Sequence, residues 1–146
     1  MTDTTSIVET WMNEGGVKYE ADRETGCISC MHKMHRMEFW PHPTEPFLRF
    51  DIVVPYKVPD AQREVVAEYL TRANFGLPIG CFSMDMDDGE IRFRIGTIFH
   101  GSGLTPGLLR SIASEGISIM EKYLPGVAGI MAGGLSAEQA IGTIEG

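Results

Sequence analysis

Cysteine is scarce in this 146-residue chain, and the three present (Cys27, Cys30 and Cys81) are an odd, scattered set. They supply no disulfide framework. Cations are also short: 12 Lys and Arg face 20 Asp and Glu, for a net charge of -8. A surface that binds nucleic acid must supply cations to displace counterions, so the balance argues against nucleic acid and, for the same reason, against anionic membranes. The one local basic cluster, Lys33 and Arg36 among histidines, is too small to reverse that. No apolar run reaches the ~18–20 residues of a membrane span. The start, Met1-Thr-Asp-Thr-Thr-Ser-Ile7, lacks the basic and apolar regions of a signal peptide. The cytoplasm is the expected location. No recognised catalytic motif surrounds any Ser, Cys or His, so no catalytic residue and no cofactor is assigned.

What remains is ordinary for a globular domain: 43% hydrophobic and 22% charged residues, one domain over 1–146 by size, able to bury a core without staples. The pattern is clearest from Ile79 to Ile95. Asp88-Gly89 suits a two-residue turn, because Gly takes φ > 0 without steric cost. Folding about it pairs Met86 with Ile91, Asp85 with Arg92, Met84 with Phe93, Ser83 with Arg94 and Phe82 with Ile95. Phe82, Met84, Met86, Ile91, Phe93 and Ile95 then share an inward face, with Ser83, Asp85, Arg92 and Arg94 on the polar one.

Elsewhere, Thr5-Ser6 caps a short helix to Asn13 carrying Ile7, Val8 and Trp11, and Gly15-Gly16 ends it. Val17–Ala21 reads as a strand, Asp22–Gly26 as a turn and Cys27–Trp40 as extended. Pro41–Pro46 is loop. In Phe47–Val54, Leu48, Phe50, Ile52 and Val54 share one strand face, with Phe47, Arg49, Asp51 and Val53 on the other. Asp60 caps a helix to about Asn74 with Val65, Val66, Tyr69, Leu70 and Ala73 inward. The second hairpin strand can run to Phe99. Thr105 and Pro106 open a further helix, with Leu109, Ile112, Ala113, Gly116, Met120, Tyr123 and Leu124 buried. Pro125 kinks or breaks it. Ser136 with Gln139 forms a capping box for a last helix. Hairpin-linked strands with segregated helices indicate an α+β fold, an antiparallel sheet of about five strands in the order α-β-β-β-α-β-β-α plus a helical tail.

Several of these residues resemble the YbjN family: Tyr69-Leu-Thr-Arg-Ala-Asn74-Phe-Gly-Leu-Pro78-Ile-Gly-Cys-Phe82, Asp88-Gly-Glu90-Ile-Arg92-Phe-Arg94, Leu104-Thr-Pro106, Tyr123-Leu-Pro125 and Gly133-Gly-Leu-Ser136-Ala-Glu-Gln-Ala140. The likeness is best from about Asp60 onward, while the Met- and His-rich Cys27–Pro46 departs from the pattern. The resemblance implies a type III secretion chaperone-like fold, dimerisation and a place in bacterial sensory transduction. It brings no agreed catalytic residues. Asn74 fits its motif, with helix termination as the plain physical role.

Cys27-x-x-Cys30-x-His32-x-x-His35, with His42 nearby, holds the ligand types zinc prefers, but on one strand Cys27 and Cys30 face opposite sides, as do His32 and His35. Nothing places the Cys-x-x-Cys at a helix N-terminus, where a thiolate would be stabilised. Asp85, Asp87, Asp88 and Glu90 lack the EF-hand spacing and read as a solvated hairpin tip. Gly101-Ser-Gly103 precedes a helix whose Pro106 removes an amide donor, so it reads as a connector rather than an anion site. The glycines at 129, 133 and 134 follow no strand and make no dinucleotide fingerprint. Methionine adapts to varied partners and suits promiscuous peptide-binding surfaces. Met84 and Met86 read as core; for Met31, Met34 and Met37 core and binding surface both stay open.

The expected function is a non-enzymatic, homodimeric adaptor or chaperone-like module binding a protein partner, with the polar sheet face at Arg92 and Arg94 as one docking surface. The alternative is a zinc-binding sensor or enzyme built on Cys27–His42. A third is a structural subunit whose Gly116 admits a neighbouring element.

Overall fold

The computed structural model describes residues 3–100 and 103–146, so Gly101 and Ser102 of the glycine connector lie outside the described residues. Four helices are α1 (Thr4–Glu14), α2 (Arg63–Gly76), α3 (Pro106–Gly133) and α4 (Ala137–Glu145). Six strands are β1 (Tyr19–Ala21), β2 (Ile28–His32), β3 (His35–Pro41), β4 (Phe47–Lys57), β5 (Cys81–Met84) and β6 (Glu90–Ile98). They form one antiparallel sheet in the order β1-β2-β3-β4-β6-β5. The α+β reading holds, with one strand more than the sequence indicated. Cys27–Trp40 is two strands, turned at Lys33-Met34, where Lys33 sits at φ 56. A left-handed lysine carries none of the usual turn chemistry, which hid the hairpin.

Strand alternation sends Ile28, Phe39, Leu48, Phe50, Ile52, Ile91 and Phe93 to one face, all essentially inaccessible. α1 and α3 pack on that face and α4 lies against α2 and α3. Gly116 fits there because a Cβ would stand 2.8 Å from the Phe50 ring, so its smallness serves close packing of α3 on β4 inside the subunit. At Gly126 a Cβ would collide with Tyr69, whose hydroxyl donates to the Tyr123 carbonyl at 2.5 Å.

Helix ends follow the sequence in part. Thr105 caps α3 with Pro106 at its first turn, Gly134 closes it left-handed, and Ser136 with Gln139 makes the capping box. α1 is capped by Asp3, whose carboxylate accepts from the Ser6 amide. Asp60 is not a cap: it opens a 3₁₀ turn, Asp60–Gln62, ahead of α2. Pro125 does not break α3, which continues to Gly133; Tyr123, Val127 and Ile130 on either side stay buried and hold the helix together.

The β5–β6 register differs by two residues from that expected. Phe82 pairs with Phe93 and Met84 with Ile91, and Cys81, not Ser83, opposes Arg94. The Asp85 amide donates to the Glu90 carbonyl at 2.9 Å, leaving Met86–Gly89 as a four-residue loop. Asp85 and Asp88 side chains accept the Asp87 and Glu90 amides inside it. Those local bonds, with Gly89 at φ 83, favour the longer loop over the two-residue turn. A shift of two preserves the faces, so Phe82, Ile91, Phe93 and Ile95 remain inward, but Met86 leaves the core and is 49% exposed.

Candidate protein-docking face

The opposite face of the sheet carries side chains from β3, β4 and β6 in aligned rows. Arg36 stands beside Val53 and Arg92; Glu38 beside Asp51 and Arg94; Trp40 beside Arg49 and Gly96; Phe47 beside Ile98. The alternation that buries Met37, Phe39, Phe50, Ile52, Phe93 and Ile95 requires this set to point the other way.

The middle row is unusual. Glu38 is 6% and Asp51 0% exposed on a face that the helices leave free. Arginines from the neighbouring rows fold over them. Arg94 donates to both Asp51 carboxylate oxygens, Nε at 2.9 Å and Nη2 at 3.1 Å. Arg92 Nη1 reaches Glu38 at 2.7 Å and Asp51 at 3.0 Å, while its Nε donates to Glu90 at 2.7 Å. Arg36 Nε and Trp40 Nε1 complete the cover of Glu38, at 2.8 and 3.1 Å. Arg49 stacks on the Trp40 ring at 4.8 Å and lies 3.6 Å from Asp51; its buried Nε has no hydrogen-bond partner among the described residues.

The electrostatics follow from this packing. Burial alone would raise the Glu38 carboxyl, but hydrogen bonds from Arg36, Arg92 and Trp40 outweigh it and hold the group below the usual carboxylate range. Burial likewise penalises the Arg92 cation, yet Glu90, Glu38 and Asp51 together push its pKa upward. Arg94 is raised by its bonds to Asp51. Arg36, Arg92 and Arg94 are thus fixed by carboxylates while each keeps N–H groups that bond to no other described residue. At the β1 end an open groove of about 310 Å³ lies between Asp22, Cys27, Arg36, Glu38 and Trp40.

The cysteine–histidine segment does not assemble. Cys30 opposes Met37 on the helix side, whereas Cys27 lines the groove on the free face, so the two thiols cannot share an ion. Burial pushes both thiols up, away from the thiolate that metal ligation or redox chemistry needs. His32 and His35, expected on opposite sides, are direct partners across the Lys33-Met34 turn. They sit against α3, near Glu121, itself 2.9 Å from Lys33. His35 Nδ1 is buried without a partner among the described residues, and burial followed by His32 lowers its pKa. His42 Nδ1 instead accepts the Thr44 and Glu45 amides in its loop. Among the described residues no group of three or more His, Cys, Asp or Glu side chains could hold a metal ion. Asp85 and Asp88 are occupied as turn acceptors, with Asp88 also 2.9 Å from Lys57. Met37 belongs to the core, while Met31 and Met34 are 61% and 65% exposed.

Arg92 and Arg94 therefore lie on the polar face as expected, but neither pairs with Asp85. Sequence reasoning placed Arg49 and Asp51 there and missed Arg36, Glu38 and Trp40, whose alternation with Met37 and Phe39 was a usable signal once a strand start at His35 is known.

No curated protein matches the chain significantly. Among solved structures it resembles YbjN from E. coli, with TM-score 0.60 and 10% identity over 79% of this chain and 84% of that one. It also resembles the Yersinia pestis type III secretion chaperone SycH, solved in complex with a stable fragment of YscM2, with TM-score 0.54 and 14% identity over 78% and 93%. Both likenesses establish the shared fold. No helix among the described residues is long and apolar enough to cross a membrane. The YbjN family model, described as "Putative bacterial sensory transduction regulator", matches residues 4–129, and the chain belongs to that family.

Proposed function

We propose that this chain is a non-enzymatic adaptor or chaperone-like module, one YbjN-like domain over 1–146, that works as a cytoplasmic homodimer and binds a protein partner in a bacterial signalling system. The observation that carries the reading is a chaperone-type sheet whose helices cover one face only, leaving the other lined by guanidinium groups already held in place by Glu38 and Asp51. Fixing those long side chains in advance removes part of the entropy that binding would otherwise cost. The family's regulatory description and the partner-bound SycH support a binding role over a catalytic one. No residue is given a catalytic, cofactor or metal role. The separation of Cys27 from Cys30 across the sheet weighs against the zinc alternative.

Native mass spectrometry of the protein purified gently from its own host tests this. The expected result is twice the chain mass with a co-purified polypeptide. A bare monomer, or a species carrying stoichiometric zinc, would overturn the reading.

A further inference from the structure

Four of the chain's eight arginines stand on the central strands of the free face. There Arg36, Arg49, Arg92 and Arg94 meet three carboxylates, Glu38, Asp51 and Glu90, whereas the rest of the chain has eight cations against seventeen carboxylates. Because Glu38 and Asp51 are buried beneath these guanidinium groups, the central strands present a cationic island on a strongly acidic molecule. Two further carboxylates, Glu20 on the edge strand β1 and Asp22 just after it, lie at the β1 end of the face, in the groove beside Arg36. Among the described residues the island's N–H groups are not exhausted: Arg36 bonds through Nε alone, Arg49 bonds through neither Nη1 nor Nη2 while its Nε is buried, and Arg94 keeps Nη1 free. Beyond the arginines, the Phe47–Ile98 pair leaves Ile98 71% exposed.

Resting on the adaptor reading, we infer that the partner docks through an extended acidic segment, its carboxylates on the outer edges of Arg36, Arg49 and Arg94 and a bulky apolar residue against Phe47 and Ile98. The rows from Arg36 to Ile98 span about 20 Å along the strands, which is about six residues of extended chain. Carboxylate suits guanidinium because the planar fork donates two parallel bonds. A second copy of this chain is the poorer occupant, since a two-fold contact would set the positive island against itself.

The test uses the full chain and a fluorescein-labelled peptide of about six alternating Asp and Glu residues followed by Leu-Phe, beside its Asn/Gln counterpart, read by anisotropy at low and physiological salt. The acidic peptide is expected to bind saturably and the neutral one not. The Arg36→Gln/Arg49→Gln variant spares the Arg92 and Arg94 bonds over Asp51 and should weaken binding about tenfold. Val53→Glu, which sets a carboxylate between Arg36 and Arg92 without removing a partner, should weaken it similarly. Arg110→Gln, a charge loss on α3, should leave it unchanged. Equal affinity for both peptides, equal loss with Arg110→Gln, or full affinity in folded Arg36→Gln/Arg49→Gln and Val53→Glu overturns the inference. So does dimerisation that buries this face and excludes the peptide. A co-purified host polypeptide that binds the double variant as tightly as the wild type would sink the acidic segment while leaving the adaptor reading intact; acidic-peptide binding with no host polypeptide would do the reverse.

Discussion

Asp51 shows how a residue on the nominally wet side of a sheet becomes inaccessible. Its position on the outer face is legible from the alternation of Leu48, Phe50 and Ile52, but its burial is not, because Arg92 and Arg94 reach it from a strand about 40 residues away. The same holds for Glu38, whose cover comes from Arg36, Trp40 and Arg92. A buried carboxylate so held stabilises the fold only while ionised. Its pKa lies below the usual Glu value of 4.5, so its contribution is complete above about pH 4.5 and fades as the pH falls through the lower, native value. Glu38→Gln is expected to lose ~1–3 kcal/mol near neutrality, and that deficit should shrink below about pH 4. Urea denaturation of both proteins across that range checks it; a deficit independent of pH would mean that the ionised carboxyl contributes nothing.

At the scale of elements, the alternating and helical periods were readable and the irregular joins were not. The stripe of α3, that of α2 apart from Val65, which is 38% exposed at its edge, the caps at Thr105 and Ser136 and the strand Phe47–Val54 follow from spacing alone. The Lys33-Met34 turn escaped because neither residue favours a turn, and the β5–β6 register slipped because Asp85 and Asp88 bond their own loop amides. Asn74 is a subtler case. Beyond its place at the end of α2, its side chain accepts the Phe82 amide at 2.7 Å and donates to the Phe82 carbonyl at 2.9 Å. It thus imitates a neighbouring strand at the open edge of β5, occupying groups that would otherwise invite another chain. Asn74→Ala should cost ~1–2 kcal/mol and speed amide exchange at Phe82. Asn74→Asp keeps the acceptor but turns a carboxylate oxygen toward the Phe82 carbonyl, so above about pH 4 it should be at least as damaging as alanine. Unchanged exchange at Phe82 in both variants would show that the edge is held by β6 alone.

For the molecule as a whole, the question is whether α4 belongs to the folding unit, since the family match ends at residue 129. The packing says that it does. Ala137 and Ala140 are buried against α2 and α3, with Leu135, Ile141 and Ile144 partly buried beside them. Glu145 reaches back along α3 to accept the Tyr123 hydroxyl at 2.6 Å. Burial and then that bond push the Tyr123 pKa up to about 12. Removing residues 135–146 uncovers this apolar seam and should cost at least ~3 kcal/mol, at about 25 cal/mol per Å² of apolar surface. The Tyr123 titration should fall back toward 10.0 as water reaches the ring, a change that absorbance at alkaline pH reads directly. Both effects together would make α4 part of the core. An unchanged melting temperature with an unchanged tyrosine titration would instead make it an appendage, and the sheet with α1 to α3 would have to account for the whole of the stability.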